Sequence, residues 1–347
     1  MLSRRNRVLP CYSSHMPTSS IRLRVFGPDT VLGRALPRAG RTILLLCKLM
    51  LPISLGVGLL RWTGALEAIG RVLSPAMAVL HLPGEAAVPL VTGYLAGIYA
   101  LLGAMAVIPL EPTAVTVMGA MALVAHNLII ETTVQDRTGT PWWWMLLVRI
   151  FSSLIVGLIV AWSVTALQAR HLPALWLRFI PSEAHTAVPA AGGFGPFLAG
   201  WSREALRLMV KIILVVTAMM IGTEWIRSRG YMEKLERAVR PLLSFLGLSR
   251  TVAFPWLTAQ ILGVTFGGGL LIEELKVRTI EEKDVRALHT SIGISHSVFE
   301  DTILLAAVGA SVFWIIVPRL LVAVVMVRLV RPVPWGLRRR PAVDGTS

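Results

Sequence analysis

Charge is what this sequence has least of. Only 15% of its 347 residues are Asp, Glu, Lys or Arg, against about 25% in a soluble domain. Cysteine is nearly absent too. Cys11 and Cys47 stand alone, which excludes a disulfide framework and a cysteine metal cluster. Met1 to Gly40 holds no apolar h-region, so it does not read as a signal peptide. It reads as a disordered basic leader, and a start at Met16 would suit the sequence equally well. There is no G-x-x-x-x-G-K-S/T, no H-E-x-x-H and no G-x-S-x-G. Those gaps argue against a P-loop, a zincin and a serine hydrolase. Enzymatic activity and a cofactor are therefore not expected.

What is present is apolar. Hydrophobic residues make up 55% of the chain, with a mean hydropathy of +0.69. They lie in long runs: Ile43 to Leu60, Ala86 to Leu110, Thr113 to Ile130, Met145 to Leu167, Leu208 to Gly222, Val252 to Ile272 and Ile303 to Val330. About 20 apolar residues cross a hydrocarbon core as a helix, and backbone groups in lipid must be satisfied within the segment. The expected fold is all-α: a polytopic integral membrane protein.

The formal charge is +15. The basic residues gather between spans and at the ends, where Arg4, Arg5, Arg7, Arg338, Arg339 and Arg340 are examples. That placement suits anionic lipid rather than nucleic acid. It also places both termini in the cytoplasm, with an even number of crossings.

The chain matches itself. At a shift of 166 residues Glu67 falls on Glu233, Arg71 on Arg237, Pro75 on Pro241, Pro89 on Pro255, Thr92 on Thr258 and Gly97 on Gly263. At a shift of 170, His126 falls on His296, Thr132 on Thr302, Trp144 on Trp314 and Arg149 on Arg319. Two repeats of about four to five helices each are expected, with the working site between them. The divisions are a basic leader (1–40), a first transmembrane repeat (41–168), a Pro/Gly/Ala linker (169–206), a second repeat (207–331) and a basic tail (332–347). Each repeat carries an amphipathic segment, Ala65 to Leu82 or Tyr231 to Leu248, that lies at the interface or re-enters. Parallel and inverted repeats both remain open at this point.

The strongest local signal is a paired run, His126-Asn127-Leu128-Ile129-Ile130-Glu131-Thr132 and His296-Ser297-Val298-Phe299-Glu300-Asp301-Thr302. Ionisable residues inside a membrane are costly unless partnered, so they mark function. Helical spacing pairs Asn127 with Glu131, Ser297 with Asp301 and His296 with Glu300. Carboxylates would bind a cation, a proton or a polar solute, and the histidines would be proton or cation partners; whether a metal binds is left open. The lines around Thr92, and around Thr258 and Gln260, are followed by glycines: Gly97 and Gly103, then Gly263 and the run Gly267-Gly268-Gly269. They permit close helix packing or a break beside a polar site. For Arg149 and Arg319, as for Lys48 and Lys211, snorkelling to the interface is the favoured reading. The run Glu273-Glu274-Leu275-Lys276-Val277-Arg278 resembles the E-E-x-x-x-R of intramembrane CAAX-type proteases. His289 and His296, however, lack the Phe that those enzymes place four residues earlier.

At His126 to Thr132 the chain resembles the nucleoside recognition, or Gate, family, and His296 to Thr302 looks like a divergent second copy. That family includes spore maturation proteins A and B and the membrane part of ferrous iron transporter B, and it is related to a segment of concentrative nucleoside transporters. The resemblance implies a bacterial inner-membrane protein that moves or binds a small nucleoside-like solute or a cation at the repeat interface. A non-transporting scaffold with a protein partner, or a homo-oligomer, is the alternative it leaves. The second copy is the more polar, which places the expected ligand nearer to it than to the midpoint.

Overall fold

The computed structural model describes residues 30–169, 193–277 and 280–331. Thirteen α-helices and two short 3-10 turns make up the secondary structure there, with no strand among the described residues. The helices are α1 (Val31–Trp62), α2 (Ala65–Ala78), α3 (Ala87–Ala96), α4 (Ile98–Met105), α5 (Pro112–Ala125), α6 (Leu128–Arg137) and α7 (Trp142–Ala169). After the linker come α8 (Phe194–Ser228), α9 (Met232–Leu246), α10 (Ala253–Val277), α11 (Glu282–Ile294), α12 (Glu300–Ala307) and α13 (Val312–Val330). Five segments are long and apolar enough to cross a membrane: Val31–Trp62, Pro112–Arg137, Trp142–Leu167, Phe194–Ser228 and Val312–Val330.

The positive-φ residues follow the same two shifts as the sequence matches. Gly64 and Gly230, His81 and Gly247, and Gly97 and Gly263 lie 166 apart; Asn127 and Ser297, and Gly139 and Gly309, lie 170 apart. Among the described residues, no positive φ lacks such a counterpart. The packing pairs up likewise. The α1 helix lies along α8, α5 packs on α7 as α11 packs on α13, and α7 meets α13 at the centre.

The α1 and α8 helices run antiparallel. Arg34 and Arg38, at the start of α1, clasp Glu224 near the end of α8 at 2.9 and 2.7 Å. Two turns in from the other end, Trp201 donates its indole N–H to Ser54 Oγ at 3.1 Å. At the far end the Trp62 ring meets Phe194 and Phe197, with centroids 5.6 and 5.9 Å apart.

Several expected boundaries move. The α1 helix begins at Val31, inside the expected leader, because Thr30 caps it by accepting from Gly33 N at 3.0 Å and Glu224 holds its first turns. The α8 helix begins at Phe194, inside the expected linker, because Phe194 and Phe197 pack on Trp62. Residues 1–29, 170–192 and 332–347, where the rest of the leader, the linker and the tail were expected, lie outside the described residues.

The apolar run Ala86 to Leu110 is not one span. Gly97 (φ 96°) breaks it, and a Cβ built on Gly93 would lie 3.0 Å from the Leu101 Cβ. Residues eight apart sit about 12 Å apart in a continuous helix, so α3 and α4 fold back as a hairpin. Ile303 to Val330 is likewise divided, at Gly309 (φ 98°) between α12 and α13. Hydropathy reports apolarity and not direction, so a re-entrant hairpin reads as a span.

Candidate functional site

Four interruptions meet near the centre of the molecule. The α5 helix ends at His126, and Asn127 takes a left-handed conformation (φ 53°) before α6 begins. Asn tolerates this region better than most residues. In the second half, Ser297 takes φ 47° between α11 and α12. The hairpin break at Gly97 sits against Asn127, and Asn127 N donates to Gly93 O at 3.1 Å. The corresponding break inside α10 is Gly263 (φ 71°), where an added Cβ would fall 2.8 Å from Ser297 Oγ. Only glycine fits there, on conformation and on space.

A cavity of about 330 Å3 opens at this meeting point, lined among others by Leu46, Gly97, Ile98, Tyr99, Asn127, Ile130, Gly263, Ser297 and Glu300. His126, Glu131, His296 and Asp301 complete its polar side. The two histidines face each other with Nε2 atoms 3.2 Å apart. Glu131 Oε1 lies 3.2 Å from His296 Nε2 and 3.5 Å from His126 Nε2. Asp301 Oδ2 lies 3.6 Å from His126 Nε2. Each ring donates its Nδ1–H to the carbonyl four residues earlier, Ala122 at 3.0 Å and Ile292 at 2.6 Å.

Two guanidinium groups hold this floor from behind. Arg149 pairs with Glu131 Oε2 at 2.8 Å and donates to His126 O at 2.7 Å and Val124 O at 2.9 Å. Arg319 donates to His296 O at 3.4 Å and Leu123 O at 3.5 Å. Both are fully buried, so the snorkelling reading is overturned for the arginines: they face the bundle interior because carbonyls freed at the helix breaks need donors. Lys48 and Lys211 are exposed, in keeping with that reading.

The structure brings together His126, Asn127, Glu131, His296, Ser297, Glu300 and Asp301. It separates others. Thr92 and Thr132 bond within their own helices, to Val88 O and Leu128 O. Gln260 donates to Ser295 O and so ties α10 to the second break. Thr258 and Thr302 are buried but do not line the cavity. The run at Gly267 stays within α10: Gly268 packs on Val134 and Gly269 faces open space. Gly103 serves close packing instead, with the Met50 carbonyl 3.1 Å from its ideal Cβ. Glu300 does not pair with His296 as helical spacing suggested. It accepts from the Tyr99 hydroxyl at 2.8 Å, because the break at Ser297 re-aims α12. Tyr99 was not foreseen, although it is one of only four tyrosines and sits inside an apolar run. Nor does the polar floor lean to the second copy; His126 and His296 place it at the midpoint. Of the protease-like run, Glu273 is exposed on α10, while Arg278 lies outside the described residues.

Residues 43–135, which hold α3 to α5, the first break and most of α6, match the Gate family model, described as nucleoside recognition. The chain is 25% identical over 283 residues to the uncharacterized membrane protein YvoD of Bacillus subtilis (strain 168), covering 80% of this chain and 87% of that one. No solved structure matches. The protein is a multi-pass membrane protein whose residues 43–135 match the model of the Gate, or nucleoside recognition, family.

Proposed function

We propose that the protein binds a small polar solute of the nucleoside class in the central cavity and carries it across a bacterial plasma membrane. The observation behind this is that four helix interruptions, at Gly97, Asn127, Gly263 and Ser297, line one cavity. Irregular backbone at membrane depth is tolerated only where protein buries it or where it lines a site. In transporters such breaks supply the groups that hold the substrate. A volume of about 330 Å3 falls in the range of about 300–1,000 Å3 for small-molecule sites. Asn127, Ser297 and Glu300 offer hydrogen bonds beside the apolar Leu46 and Ile98. The Gate match supports the solute class.

The antiparallel course of α1 and α8, which correspond in the two halves, supports inverted repeats. Inverted units each cross an odd number of times; taking α11 with α12 as the counterpart of the Pro112–Arg137 span brings the five long apolar segments to six crossings, so both termini share one side. The arginines at the two ends favour the cytoplasm.

Purified protein screened against nucleosides and nucleobases tests the reading. A ligand at a hundred times its Kd stabilises the folded state by about 2.7 kcal/mol, visible as a raised melting midpoint. Asn127→Ala and Glu300→Gln should lose that shift, and the same variants should lose uptake into proteoliposomes. Unchanged flux in the double variant would refute the site.

A further inference from the structure

The floor of the cavity has more electron-pair donors than protons to share among them. Each imidazole commits its Nδ1–H to a backbone carbonyl, Ala122 for His126 and Ile292 for His296. A carbonyl only accepts, so in a neutral ring Nε2 is a bare lone pair. Two such lone pairs face each other at 3.2 Å. Glu131 Oε1 joins them at 3.2 and 3.5 Å, and Asp301 Oδ2 at 3.6 Å from His126. Asp301 is about 95% buried by the complement of its 5% exposure, and its Oδ2 accepts no hydrogen bond among the described residues.

We propose that His126, His296, Glu131 and Asp301 form a tetrahedral site for one first-row divalent transition metal, with Zn2+ or Fe2+ the best fit. Bonds of about 2.0–2.2 Å place the ligands of a tetrahedral ion about 3.3–3.5 Å apart. Four of the six pairs among these ligand atoms, from 3.2 to 3.6 Å, already have that spacing. His Nε2, His Nε2 and Asp301 converge within 4.8 Å of one another. Two imidazoles with two carboxylates suit zinc, iron or manganese rather than Mg2+ or Ca2+, which want oxygen alone.

The outer partners are those metal ligands require. The Nδ1–H bonds fix both tautomers with Nε2 toward the ion. Arg149 holds the other oxygen of Glu131. Charge points the same way. With all three carboxyls ionised, Glu131, Glu300 and Asp301 would bring three negative charges against the two positive charges of Arg149 and Arg319, a formal sum of −3 + 2 = −1. A proton would relieve one lone-pair contact and leave the others facing; one divalent ion engages all four donors.

The inference rests on the reading of the cavity as a binding site, but it is tested apart from the solute. Full-length protein in detergent is dialysed against micromolar Zn2+, or Fe2+ without oxygen, and its metal content is measured. One ion per chain is expected. Asp301→Asn and Glu131→Gln should each weaken binding at least tenfold, and His126→Asn with His296→Asn should abolish it. His81→Asn, at an exposed left-handed position that Asn accepts, should change nothing. If the variants do not purify as monodisperse protein, Co2+ in the wild type decides: intense visible absorption marks tetrahedral ligation. Absent or weak absorption, metal retained by the double histidine variant, or metal bound no better than in a Mg2+ control overturns the proposal. Nucleoside stabilisation of a protein that takes up no metal would sink this site alone. Stoichiometric metal with no solute response would sink the solute reading alone.

Discussion

Arg149 and Arg319 occupy corresponding positions yet are held unequally. Arg149 uses all three of its nitrogens on Val124 O, His126 O and Glu131, at 2.7 to 2.9 Å. Arg319 reaches its carbonyls at 3.4 and 3.5 Å, where hydrogen bonds are weak. Removing one partner of a buried pair costs about 3–5 kcal/mol because a charge is stranded. Arg149→Met should therefore lower the melting midpoint of the purified protein strongly, and Arg319→Met less. Glu131→Gln combined with Arg149→Met should be milder than Arg149→Met alone; if it is worse, the pair is not what stabilises the site. The arginines were visible in the sequence as a recurring pair, but their direction was not. A long side chain in a span can snorkel or turn inward, and only the carbonyls exposed by the breaks at His126 and His296 decide between them. The histidines were easier, since an ionisable residue within an apolar run is costly unless it faces a polar interior.

The helices show what glycine does here. Gly97 holds φ 96° and ψ 176°, a region costly for any other residue, by about 1–3 kcal/mol. Gly263 adds a clash, with Ser297 Oγ 2.8 Å from an added Cβ. Gly97→Ala and Gly263→Ala should each lower thermal stability and weaken solute binding, with Gly263→Ala the worse. Gly269→Ala, in a helical stretch with nothing within 4 Å, should be neutral or stabilising. Equal effects at all three would contradict the hairpin. The sequence marked all of these glycines but could not rank them, because a run of three is the louder signal and a lone glycine the one that breaks. Apolar content and length were plain. Which apolar runs cross and which turn back was not, since Gly93 against Leu101 is a contact between faces that hydropathy does not see.

At the scale of the molecule, the antiparallel α1 and α8 can be checked directly. With Cys11 and Cys47 replaced by serine, cysteines at Trp62 and Phe194 should join through a short bis-maleimide. Cysteines at Trp62 and Glu224 should not: α1 has 32 residues and is about 48 Å long at 1.5 Å per residue, and Glu224 sits at its other end. The reverse result would make the units parallel. The matching shifts of 166 and 170 residues were readable from the sequence, as was the correspondence of His126 with His296. Orientation was not, because a list of equivalent residues is the same for either symmetry, and only pairs such as Trp62 with Phe194 distinguish them.

One detail breaks the correspondence of the halves. Glu300 takes a hydrogen bond from Tyr99, while Ile130 stands at its counterpart position and touches the same cavity. In an alternating carrier made of two equal, opposed halves, the outward-open and inward-open forms would be mirror states of equal energy. In such a carrier the hydrogen bond from Tyr99 to Glu300 would remove that degeneracy. One charge-assisted bond of about 1.5–3 kcal/mol that survives in one form alone would weight the two by roughly ten- to a hundredfold. The empty carrier would then wait with its door open to one particular side of the membrane.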